Sequence, residues 1–95
     1  MLTDILEKYE EFQLKTQKKD FDLKYMAIGL GGEVGEVLNE IKKLERDDNN
    51  IMTPQRKLKI IEEMSDVLWY MSAMCNRLDT NFDELIKHNK NKLVE

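Results

Sequence analysis

The chain has 95 residues, 41% hydrophobic and 36% charged, with 15 Lys and Arg against 19 Asp and Glu for a net charge of -4. That length makes one domain over residues 1–95. The acidic balance excludes polymeric nucleic acid, whose backbone is bound by excess Lys and Arg, and no run approaches the ~20 apolar residues of a membrane span. A single cysteine, Cys75, and a single histidine, His88, exclude an intramolecular disulfide and a Cys-based zinc site and leave little room for a Ser-His-Asp triad, so carboxylate is the abundant reactive group.

The first segment carries Leu2, Ile5, Leu6, Tyr9 and Phe12 at helical spacing, with Thr3 or Asp4 as its cap, and should fade near Gln17 to Asp20. Its acidic start, MLTDILEKYEE, resembles neither an export signal nor a transit peptide. With the lone thiol, this makes the cytoplasm the expected location. A second stripe, Leu30, Val34, Val37, Leu38, Ile41 and Leu44, runs to about Arg46. There Asp47-Asp48-Asn49-Asn50 competes for backbone hydrogen bonds. Thr53-Pro54 reads as an N-cap followed by proline at the first helical position, opening a third helix to about Leu78. Thr80-Asn81-Phe82-Asp83 reads as a capping box with Asp in place of Glu, opening a fourth helix through Phe82, Leu85, Ile86 and Leu93.

The third helix is apolar on one stripe from Ile60 to Leu78. After Asp66 its other side joins in, with Trp69, Tyr70 and Ala73. A helix apolar all round is a buried one, and 95 residues enclose it poorly. The expected fold is therefore all-α, a four-helix bundle-like subunit completed by a second copy of the chain.

Glu33, Glu36 and Glu40 line one edge of the second helix, and Glu63 with Asp66 repeats the theme on the third. Either pair alone is an ordinary solvated face, with Lys42, Lys43, Lys57 and Lys59 at hand as partners. Both pairs beside apolar stripes on helices that should pack together point to a metal site. Carboxylates without His or Cys suit Mg²⁺, with Mn²⁺ as a substitute, or Ca²⁺. An EF-hand loop and the Glu-x-x-His pairs of a di-iron bundle are both absent. The four glycines, Gly29, Gly31, Gly32 and Gly35, match no phosphate-loop pattern and read as close helix packing. Asn89 interrupts the apolar stripe of the fourth helix, with Lys92 three positions on, so both are candidates to face a ligand. Lys87 and Lys90 suit the helix dipole, His88 the surface and Cys75 the core.

Three stretches together, YMAIGLGGEVGEVLNEIKK (25–43), EEMSDVLWYMSAMCNRL (62–78) and NKNKL (89–93), resemble the MazG-like, all-α nucleoside triphosphate pyrophosphohydrolases over about residues 20–93. The resemblance implies that Glu33, Glu36, Glu63 and Asp66 ligate Mg²⁺ and serve catalysis. It also implies that Asn89 and Lys92 contact the nucleotide, that a (d)NTP is cut to (d)NMP and pyrophosphate by water attack at the α-phosphorus, and that the chain forms a homodimer or homotetramer. Within the set, Glu36 and Asp66 are expected as central ligands and Glu33 or Glu63 as the group placing the water, with Glu40 and Glu62 in reserve. Tyr9, Phe12, Gln13, Trp69 and Tyr70 are available to a base, though each also suits a core or an interface. Members often continue K-L-x-x-R, whereas Lys92-Leu93 is followed here by Val94 and Glu95. The competing reading is a non-catalytic helical oligomerisation module with acidic surface patches.

Overall fold

A computed structural model describes the backbone of residues 2–94 and the side chains of 4–94. It contains four helices: α1 (Leu2–Thr16), α2 (Leu23–Asp47), α3 (Pro54–Arg77) and α4 (Phe82–Leu93). Among the described residues there is no strand, and no helix is long and apolar enough to cross a membrane. Because α1 already runs from Leu2, Thr3 and Asp4 lie inside its first turn and not at the expected cap.

Each later helix starts on a side-chain acceptor. Asp22 Oδ1 accepts from the Tyr25 N–H at 2.8 Å, and Thr53 Oγ1 accepts from the Arg56 N–H at 3.1 Å, with Pro54 at the first helical position. The cap of α4 is Asn81 and not Thr80: Asn81 Oδ1 accepts from the Glu84 N–H at 2.9 Å. Thr80 instead closes α3, donating its N–H to Cys75 O at 2.8 Å around Asp79, whose φ of 55° ends the helix in a left-handed residue. Glu10 of α1 reaches the same corner and accepts from the Phe82 N–H at 3.0 Å, placing a carboxylate at the positive end of α4.

The most extensive packing in the chain is α2 against α3, an antiparallel pair joined by a short turn. Asn49 and Asn50 take left-handed φ values of 53° and 60° in that turn, a conformation asparagine tolerates better than most residues. Across the turn Arg56 grips two acids, with Nη1 on Glu40 Oε1 and Nε on Asp48 Oδ2, both at 2.7 Å. Lys43 Nζ adds a second contact to Glu40 at 3.2 Å. Glu40 is buried and so needs such partners. Its carboxyl is held low, first by the Arg56 hydrogen bond and then by Lys43, against the opposing effect of burial. Glu40 is thus a structural acid, which removes it from the candidate ligands.

α1 lies across the C-terminal half of α3, and α4 folds back against α1. Trp69 Nε1 donates to Thr16 Oγ1 at 2.8 Å, and Tyr9 stacks on Phe82. Buried apolar residues are few: Met26, Ile60, Ala73, Cys75 and Phe82. α3 is central, as its composition predicts, but its N-terminal half is open, with Leu58, Ile61 and Met64 each half or more exposed. The radius of gyration is 15.6 Å, against about 12 Å for a compact chain of this length. The accessible surface is 7413 Å², against about 5,700 Å² for a folded monomer of this mass.

The α2–α3 pair has two unlike faces. Leu38 lies about 200° round α2 from Glu36 and about 140° from Glu33, and Met64 about 200° round α3 from Asp66 and about 100° from Glu63. The acids therefore occupy one face and the open apolar residues the other. On that other face Val34 and Met64 share a groove of about 260 Å³ with Val37 and Val67.

Candidate metal centre

Packing α2 on α3 brings together acids thirty or more residues apart in sequence. Carboxylate oxygens of Glu33, Glu63 and Asp66 all lie within 4.8 Å of one another. Glu33 and Glu63 are half-buried and Asp66 is exposed. Glu36, one turn beyond Glu33, is exposed and stands outside that group, yet its charge acts on both Glu33 and Glu63. Glu62 points to solvent, with Ser65 donating to its backbone carbonyl.

The centre is strained by its own charge. Burial, then Asp66, Glu63 and Glu36, push the Glu33 carboxyl above the usual range. Burial, then Glu36 and Asp66, do the same to Glu63. The charged groups acting on Glu33 are all carboxylates. Three converging oxygen donors without a cationic side chain among them match the hard donor set of a divalent ion such as Mg²⁺.

Two phenols flank the acids. The Tyr70 hydroxyl is raised by burial and then by Tyr25, Glu33 and Asp66; that of Tyr9 is raised by burial and then by Asp66. Tyr70 is seated by Gly29, since a Cβ added there would clash with the edge of the Tyr70 ring, about 2.5 Å from Cζ. Gly29 is therefore the close-packing glycine of the cluster. Gly31, Gly32 and Gly35 have nothing within 4 Å of an added Cβ, so the packing role expected of all four belongs to one. Gly32→Ala should stabilise the chain by about 1 kcal/mol through helix propensity. Gly29→Ala should destabilise it by about 1–3 kcal/mol through overpacking and swing Tyr70 away from the acids. Urea titration of the two variants checks the opposite signs.

Among the residues considered for a base, Gln13 is fully buried and donates to Gln17, and Trp69 is committed to Thr16 and Tyr70. Tyr9 and Tyr70 adjoin the acids. Phe21 and Tyr25 were not singled out by spacing, although Tyr25, Gly29 and Glu33 recur every fourth residue along one edge of α2. Asn89 and Lys92 are exposed. Asn89 lines a groove of about 620 Å³ with Leu6, Leu68, Phe82, Leu85 and Ile86. Asn89 and Lys92 are not among the side chains that converge with the acids. Cys75 is buried, as expected, and His88 is exposed.

Residues 21–95 match the family model of the MazG nucleotide pyrophosphohydrolase domain. Over 71 residues, 75% of the chain, the sequence is 37% identical to the "Gene 37 protein" of Mycobacterium phage L5, and it spans about 62% of that relative's length. No solved structure matches the chain. The acid-x-x-acid pairs that meet across α2 and α3 are those of the matched region, and the chain belongs to the MazG nucleotide pyrophosphohydrolase domain family.

Proposed function

We propose that the protein is a divalent-cation-dependent hydrolase that cuts a nucleoside triphosphate, ribo- or deoxyribo-, to the monophosphate and pyrophosphate by attack of water at the α-phosphorus. The observation that carries this reading is the convergence of Glu33, Glu63 and Asp66 within 4.8 Å on two packed helices, with no cationic side chain among the charges on Glu33. These three residues, with Glu36 at the rim, would hold Mg²⁺, or Mn²⁺ in its place. Bound there, the cation would neutralise the triphosphate and favour departure of pyrophosphate. Glu33 or Glu63, whose carboxyls lie above the ordinary range, orients the attacking water and accepts its proton. No serine, cysteine or histidine nucleophile is needed, which suits a chain with one of each of the latter two.

Asn89 and Lys92 stand as the polar contacts to the nucleotide implied by the family resemblance. The working unit is a homodimer, or a homotetramer of paired dimers, acting in the cytoplasm.

The test is a panel of ribo- and deoxyribonucleoside triphosphates, each incubated with the purified protein and Mg²⁺ or Mn²⁺ and resolved by anion exchange. Monophosphate and pyrophosphate should appear in equal amounts from at least one of them. Silence across the panel would leave the non-catalytic module as the better description.

A further inference from the structure

Beyond the acids, the same edge of α2 carries an aromatic pair that neither the fold nor the metal centre requires. Phe21 and Tyr25 stack with ring centroids 4.2 Å apart and planes 18° from parallel. Tyr25 is 52% exposed despite its size, so one side of this stack is open. Tyr25, Gly29 and Glu33 follow one another at intervals of four residues, and the Tyr70 ring rests on Gly29, between the other two. The edge thus runs from carboxylates to a phenol to an open aromatic face. Eight residues separate Tyr25 from Glu33, about 12 Å along the helix axis, a span comparable with a nucleoside measured from its α-phosphate. The pair lies away from the open apolar face: Tyr25 is thirteen residues before Leu38, about 140° round α2.

Resting on the hydrolase reading above, we propose that Tyr25, backed by Phe21, is the platform on which the nucleobase stacks while the phosphates lie at Glu33, Glu63 and Asp66, with Tyr70 against the sugar between them. A flat, half-exposed ring offers its face to any base, because every base has a π-face. The platform therefore contributes affinity that is tolerant of base identity. Phe21 holds the Tyr25 ring in place, and Gly29 leaves room for Tyr70 beside it.

The test compares Tyr25→Ala and Tyr25→Phe with the wild-type protein, using the best triphosphate of the panel and inorganic tripolyphosphate as a competitor that has no base. The Asp22 cap takes the backbone N–H of Tyr25, so the alanine variant keeps the start of α2, and circular dichroism verifies that. Tyr25→Ala should raise KM about tenfold or more, the scale of losing one base–aromatic stack, with kcat nearly unchanged. Inhibition by tripolyphosphate should stay at its wild-type level, and Tyr25→Phe should behave as wild type. The rise in KM should also be similar for purine and pyrimidine substrates. An unchanged KM in Tyr25→Ala, or an equal weakening toward tripolyphosphate, overturns the platform while leaving the hydrolase reading intact. A wild-type protein that hydrolyses no triphosphate overturns both.

Discussion

Asp66→Asn and Glu33→Gln should each lose pyrophosphate release on the order of a thousandfold while keeping the wild-type helical signal. The size follows from the role proposed for the acids. A cation held by carboxylates supplies several kcal/mol of charge stabilisation, and each 1.4 kcal/mol or so is a factor of ten in rate. The same substitutions should raise the thermal midpoint of the metal-free protein, since each removes one member of a mutually repelling group. Glu33 and Glu63 titrate above their ordinary range, burial being the first cause in each. The folded chain therefore holds their protons more tightly than the unfolded chain. The stability this contributes is fully present below the ordinary carboxylate range and is lost as pH rises through the folded values. The metal-free protein should consequently melt higher near pH 5, just above the usual Glu value, than at pH 7. Glu40 works in the opposite sense, but its depressed carboxyl loses its contribution only at lower pH, outside this window. Saturating Mg²⁺ should reverse the trend, because ligands must be deprotonated to bind. Scanning calorimetry at the two pH values, with and without Mg²⁺, reads all of these, and wild-type melting that ignores both Mg²⁺ and pH would contradict the assignment.

In the homodimer proposed above, Leu38→Glu and Met64→Glu should each leave single 11.3 kDa chains and remove hydrolysis with the pairing. Both residues sit on the face turned away from the acids, 64% and 55% exposed. A chain with roughly 1,700 Å² more surface than a compact monomer of its mass has ample area for the ~800 Å² per partner of a stable interface. The patch mixes α2 and α3 side chains, which lets it meet its own copy across a two-fold axis. A buried glutamate without a counter-charge in that contact is costly. Light scattering should give about twice the chain mass for the wild type and the single-chain mass for either variant. A wild-type mass of one chain would refute the pairing.

Sequence periodicity revealed the four helices because their ends carry local signals, Thr53-Pro54 most clearly. It missed the start of α2, where Asp22 supplies the cap without any break in composition before it. It also placed the α4 cap one residue early, because Thr80 and Asn81 are both good caps and only the closing turn of α3 decides which is free. Among the acids, Glu33 and Glu40 look alike along α2. What separates them is across the turn: Glu40 faces Arg56, sixteen residues on, and Glu33 faces two more carboxylates. The role of Gly29 was hidden for the same reason, since it depends on a ring forty-one residues away. Such long-range pairings have no local signature.

The grip of Arg56 on Glu40 and Asp48 bears on alignment. Two long apolar stripes, such as those of α2 and α3, leave little to distinguish one sliding position from another a helical turn away. A slip of one turn moves a residue about 5.4 Å, more than the 4.8 Å that spans the three acids, so the centre exists at one setting only. Arg56 and Glu40 each lie seven residues from an acid of the centre, Glu63 and Glu33, about 10 Å along each helix. Two short charge contacts at that distance admit a single setting, and they act as a vernier: the ion pair at the turn fixes the register in which the carboxylates can meet.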